Sequence, residues 1–184
     1  MMISGNRHRL IDHCRIAVVS FILLLTSAHA LEGQGNDDYD YFDPQSWLLG
    51  DFSYNDMLNE PHGYWFGREF SAYELDPLAF MELEKTMPGN IDIVIVLGTW
   101  CPDSRREVPR FMKIIETLNF DKEKIRFIGV DSYKEAPLDE YESFDIERVP
   151  TFIFYDNKIE LGRIIEYPEA SLEKDMLRIL TENE

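Results

Sequence analysis

Residues 91–97 read Ile-Asp-Ile-Val-Ile-Val-Leu, an apolar, β-branched run interrupted once. That composition belongs to a strand buried on both faces, so it predicts the central strand of a parallel or mixed sheet. Helical spacing brackets it. In residues 75–87, Leu75, Leu78, Ala79, Met81, Leu83 and Met87 fall near one face, with Pro77 in the first turn and Pro88-Gly89 as the stop. In residues 105–118, Val108, Phe111, Met112, Ile115 and Leu118 recur at threes and fours, and Pro109 inside the pattern predicts a kink. Further on, residues 124–130 read as a second buried strand, 137–144 as a short helix and 151–155 as a third strand. Asp156-Asn157-Lys158 turns into a fourth strand over 159–165, and 171–180 closes as an amphipathic helix through Leu172, Met176, Leu177 and Leu180.

The upstream pattern is weaker. Residues 45–59, with Trp47, Leu48, Phe52, Met57 and Leu58, read as one loose helix that breaks at Asn59-Glu60-Pro61-His62-Gly63. Residues 64–70, rich in aromatics, read as an edge strand, and 31–44 as a flexible acidic leader. No calcium loop starts at Asp38, because Leu49 stands where the bidentate glutamate belongs. Helices alternating with strands imply right-handed crossovers and an α/β fold, a mixed sheet covered by helices; the late hairpin makes the sheet mixed.

The start of the chain has the three parts of a secretory signal peptide: basic Arg7, Arg9 and Arg15, an apolar stretch from Ile16, and the small-residue end Ala28-His29-Ala30. The apolar stretch is shorter than the roughly 20 residues that span a bilayer. The expected organisation is a signal peptide over 1–30, an acidic and aromatic extension over 31–60, and a folded domain over 61–184. The expected location is therefore outside the cytoplasm, periplasmic or secreted. Cleavage would leave 15 basic and 34 acidic residues, a net charge of −19. Such a charge disfavours nucleic acid and anionic membrane surfaces as partners. With Cys14 removed, Cys101 would be the sole cysteine and His62 the sole histidine, read as a loop residue. One thiol forms no internal disulfide, and no metal or cofactor site is expected.

Chemistry concentrates at Thr99-Trp100-Cys101-Pro102-Asp103-Ser104, where the buried strand hands over to the helix. There the unpaired N–H groups and the helix dipole favour thiolate over thiol, and Arg105 and Arg106 add positive potential against Asp103 and Glu107. Both arginines also suit a solvated helix face. An inert buried thiol is the bland alternative for Cys101. Ser104 either donates to the thiolate or caps the helix. Trp100 either lines a groove or covers the core edge, and Trp47, Tyr64, Trp65 and Phe66 read as core or lid residues.

The element order, Trp100-Cys101-Pro102-x-Ser104, Pro109 eight residues after the cysteine, and Val149-Pro150-Thr151 before a strand together resemble the thioredoxin superfamily over about residues 91–180. The resemblance implies a thioredoxin-like fold with Cys101 as nucleophile, Pro150 as a cis-proline facing it, and Trp100, Pro102, Val149 and Thr151 along the substrate groove. Two positions depart from the family. Ser104 stands where dithiol members carry the resolving cysteine, and Ile95 where many bury an aspartate. These departures imply single-cysteine thiol–disulfide exchange with a protein disulfide or a low-molecular-weight thiol, the alternative being a non-catalytic binding or scaffold module. Cys-x-x-Ser is also similar to monothiol glutaredoxins, which bind iron–sulfur clusters with glutathione, but export argues against that. Gly98 stands where peroxiredoxins carry threonine.

Overall fold

The computed structural model describes residues 40–87 and 89–182; the signal-peptide reading, Cys14 and most of the predicted leader lie outside them. The elements are β1 (Gly50–Phe52), α1 (Tyr54–Leu58), α2 (His62–Ala72), α3 (Pro77–Thr86), β2 (Ile91–Leu97), α4 (Pro102–Thr117), β3 (Ile125–Gly129), β4 (Thr151–Asp156), β5 (Ile159–Ile165) and α5 (Leu172–Thr181), with single 3-10 turns at Pro44–Ser46, Lys122–Lys124 and Tyr141–Phe144. The sheet order is β1-β3-β2-β4-β5. The chain thus has a thioredoxin-like α/β architecture, a five-stranded mixed sheet flanked by helices.

β2 is central, as its composition predicts. It pairs parallel to β3, with Leu97 opposite Gly129, and antiparallel to β4, with Val96 opposite Thr151. Alternation divides its side chains. Ile91, Ile93, Ile95 and Leu97 join the larger core with Phe152 and Phe154 of β4 and the apolar faces of the five described helices. Phe111 of α4 stacks on Phe152 at 4.5 Å between ring centroids. Val94 and Val96 face the other way, into a smaller cluster with Ile128, Ile153, Phe144, Val149 and Cys101. That side is closed by the segment 130–149, of which only Tyr141–Phe144 forms a turn of 3-10 helix, so the helix expected over 137–144 shrinks to its second half.

Capping explains several boundaries. Asp76 accepts from the Leu78 and Ala79 amides ahead of α3, and Ser171 accepts from the Lys174 amide ahead of α5. Between β4 and β5, Asn157 and Lys158 take positive φ of 49° and 69°, the handedness that a two-residue hairpin needs. α4 runs unbroken through Pro109.

The upstream expectations need three corrections. Residues 45–59 are not one helix but a 3-10 turn, the short strand β1 and the short helix α1. β1 pairs antiparallel with β3, and its Asp51 holds Arg126 at 2.6 Å. Residues 64–70 are not an edge strand but the middle of α2. The aromatics there serve a helical period: Trp65 and Phe66 are buried against the core while Gly67 and Arg68 are exposed, and Arg110 of α4 reaches Glu69 at 3.2 Å. Burial against α4 overrides β propensity. His62 is likewise not in a loop; it opens α2 and is 4% exposed.

The helical reading of residues 64–70 separates two residues that a strand would place on one face. Phe66→Ala should lower unfolding free energy by ~3–5 kcal/mol, whereas Tyr64→Ala, at a residue 36% exposed, should cost ~1 kcal/mol or less. Urea denaturation of the two variants checks this, and equal costs would return the segment to a strand.

Candidate functional site

Cys101 is the N-cap of α4, with extended backbone (φ −79°, ψ 124°) and Pro102 in the first helical turn. Proline there is preorganised for a helix start and forfeits an N–H that would be unpaired anyway. The turn from β2 into α4 is closed by three bonds. The Cys101 amide donates to the Gly98 carbonyl at 2.9 Å, the Arg105 amide donates to the Cys101 carbonyl at 3.1 Å, and the Gly98 amide donates to Ser104 Oγ at 3.3 Å. Ser104 is wholly buried. Its oxygen therefore serves the turn before the helix, and neither sequence expectation for it describes that bond.

Across from α4 lies the start of β4. The Val149–Pro150 peptide bond is cis, and Cys101 Sγ donates to the Val149 carbonyl at 3.4 Å. The loop is tied at both ends: the Thr151 hydroxyl donates to the Arg148 carbonyl at 2.7 Å, the Glu166 amide donates to the Pro150 carbonyl at 2.6 Å, and Arg148 pairs with Glu166 at 2.6 Å. The structure thus brings Val149 against the thiol. Thr151, read as groove-lining, is buried with its hydroxyl committed to Arg148, and its backbone pairs with Val96 and Ile165. Pro102 is exposed at the helix start. Trp100 is pinned, its indole N–H donating to the Val130 carbonyl at 2.9 Å. Cys101 itself is 7% exposed.

The two arginines part company. Arg106 pairs with Asp103 at 2.8 Å and with buried Glu107 at 2.6 Å, which absorbs its charge. Arg105 is half-buried, its guanidinium lies 4.1 Å above the Tyr41 ring, and its Nη1 is buried without a hydrogen-bond partner. Burial pulls its pKa below the usual arginine value, with Tyr41 and Cys101 acting in the opposite sense. Arg105 is therefore the cation that bears on the thiol, and the reading of it as an ordinary solvated residue is corrected.

Sequence reasoning missed one side of the site, residues 41–48. The Leu48 amide donates to Thr99 Oγ1 at 3.3 Å, Trp47 packs on Trp100 with ring centroids 6.1 Å apart, and the Trp47 indole donates to the Tyr41 carbonyl at 2.9 Å. The Leu48 carbonyl crosses β3 so closely that a Cβ on Gly129 would lie 2.0 Å from it, so only glycine fits there. The aromatics Tyr41 and Trp47 in an otherwise acidic stretch were the available signal. A ring pair such as Trp47 on Trp100 contributes ~0.5–1.5 kcal/mol, and Tyr41 and Leu48 also pack against the larger core.

Residues 75–178 match the family model described as thioredoxin, more than half of the chain. The chain belongs to the thioredoxin family. No curated protein sequence matches it. Among solved structures it is similar to a Pseudomonas aeruginosa protein of unknown function, at 16% identity and TM-score 0.53, over 78% of this chain and 96% of that one; this shows a shared fold. It is also similar to thioredoxin from Fasciola hepatica, at 19% identity and TM-score 0.32 over 45% of this chain and 73% of that one. An HIV epitope scaffold matches at 17% identity and TM-score 0.46, over 71% and 77%. Against the thioredoxin pattern, this member keeps the helix-start cysteine and the cis-proline bond and carries Ser104 at the second position.

His62 adds a pH dependence beside the site. It faces the Ser46 carbonyl and packs edge-on to Trp65, and its Nδ1 is buried without a partner. Burial lowers its pKa, the Ser46 carbonyl offsetting part of that. The unfolded chain, titrating near ~6.5, then binds a proton that the folded chain refuses. Stability should accordingly fall as pH drops through that value and level off below the folded pKa. His62→Gln should flatten this limb when urea midpoints are compared between about pH 7.5 and about pH 5; an unchanged slope would remove His62 as its source.

Proposed function

We propose that this thioredoxin-family chain is an exported thiol protein that exchanges disulfides through Cys101 alone. The carrying observation is the placement of Sγ at the start of α4, 3.4 Å from the carbonyl that precedes the cis Pro150, with a serine oxygen instead of a second sulfur at residue 104. Export is supported by the signal-like residues 1–30.

In the reaction, the Cys101 thiolate attacks one sulfur of a partner disulfide. A bond forms between Cys101 Sγ and that sulfur, the partner S–S bond breaks, and the other partner sulfur leaves as thiolate. Ser104 cannot displace the partner, since its hydroxyl forms no disulfide. An external thiol, low-molecular-weight or on a second protein, attacks the mixed disulfide and returns Cys101 as thiolate. The sum is a thiol for a thiol, with no net electron change at Cys101. Positive charge from the helix start and from Arg105 supports the anion.

A second reading has one observation in its favour. Cys101 lies within the smaller buried cluster, and a scaffold that holds a partner without turnover needs no accessible sulfur. The protein itself separates the two. Under thiol exchange, the native chain mixed with a disulfide-bonded protein should accumulate a mixed disulfide at Cys101. Ser104→Cys should release that adduct and reduce its lifetime by about tenfold or more, and Cys101→Ser should abolish it, as read on non-reducing gels with mass mapping. Full partner binding by Cys101→Ser, with no adduct in the native chain, would select the scaffold.

A further inference from the structure

The hydrogen bond from Cys101 Sγ to the Val149 carbonyl, 3.4 Å long, acts on one protonation state only. A carbonyl accepts from a thiol and offers nothing to a thiolate, so the contact favours the protonated sulfur. It works against the start of α4 and against Arg105, which favour the anion. On the same helix Asp103 is taken up by Arg106. Tyr141 and Tyr155, packed on the cluster that contains Cys101, have pKa values raised by burial and stay neutral at ordinary pH. From the start of β4 and the end of β5 come Arg148 and Glu166, which are paired with each other. How firmly Val149 is held on the sulfur therefore bears on when the nucleophile forms.

Val149 is held through its two neighbours, and one residue holds both. The Glu166 amide donates to the Pro150 carbonyl at 2.6 Å, and Glu166 Oε2 accepts from Arg148 Nη1 at 2.6 Å. Glu166 follows Ile165, the β5 residue paired with Thr151, and its φ is 67°. That left-handed conformation is costly for a side chain other than glycine. It persists where the surrounding contacts repay it, and here its two contacts fall on either side of Val149. The ion pair is the weaker hold, since Arg148 is 61% exposed and Glu166 24%. The backbone bond is the stronger.

We propose that Glu166 is a positioning residue for Cys101: by holding Arg148 and Pro150 together it keeps the Val149 carbonyl on Sγ, and so sets the pH at which the thiol becomes a nucleophile. Loosening either hold frees the sulfur from its acceptor and lets it ionise at lower pH. This proposal deepens the thiol-exchange reading and rests on it.

The test uses the full chain with Cys14→Ser, so that Cys101 is the only thiol, and follows the ultraviolet absorbance of its thiolate against pH, each protein referenced to its own Cys101→Ser form. Arg148→Ala combined with Glu166→Val removes the ion pair and disfavours the left-handed backbone, with no change in net charge. It should lower the ionisation midpoint by about 0.5–1 pH unit, a roughly three- to tenfold gain in thiolate below the midpoint. Arg148→Ala combined with Glu166→Gly keeps the backbone bond and should fall between that variant and the parent. Arg148→Glu combined with Glu166→Arg reverses the pair but keeps both holds, and its midpoint should stay within about 0.2 unit of the parent. A field acting through space would give the opposite pattern, no shift on removing the pair and a shift on reversing it. That pattern, a rise, or no shift in any variant overturns the assignment. Failure of the thiol-exchange reading looks different: the midpoints would move as expected while no mixed disulfide forms at Cys101 with a disulfide-bonded protein.

Discussion

Both walls of the thiol site hang from neighbouring strands, so its geometry depends on the pairing of β2 with β4. A short turn over residues 98–101 joins the end of β2 to α4, and the Val149–Pro150 bond directly precedes β4. The antiparallel register of Val96 with Thr151 then brings the Val149 carbonyl to Cys101 Sγ. Apolar side chains on both faces of β2, in two separate clusters, hold that register, because a slip by one residue would exchange the faces. The sulfur's position is thus a consequence of core packing some distance from it.

The site is built from commitments that leave few polar groups idle. Ser104, Thr99, Trp100 and Thr151 each use a side-chain donor or acceptor to close a turn or dock a segment. Arg106 is neutralised by Asp103 and Glu107. Arg105 instead lies over the Tyr41 ring.

Residues 41–48 give the aromatic residues of the N-terminal stretch a place in the fold. Tyr41 and Trp47 lie against Arg105 and Trp100, and His62 faces the carbonyl of Ser46 between them in sequence. Residues 41–48 are attached by ring contacts, by the packing of Tyr41 and Leu48 on the larger core, and by a close backbone crossing at Gly129.

From the sequence alone, the strands at 91–97, 151–155 and 159–165, the helices at 75–87 and 171–180, the cysteine at a strand-to-helix junction and the proline before a strand were legible, since each rests on a local period, cap or turn. Residues 45–70 were misread for a physical reason: Trp65 and Phe66 carry β propensity, and only burial against α4 makes the segment a helix. What tertiary structure alone decided are the contacts between positions distant in sequence, the Val149 carbonyl on Cys101 and Leu48 on Thr99 and Gly129. Periodicity carries no term for distance across a fold, and these contacts exist only once the sheet has paired.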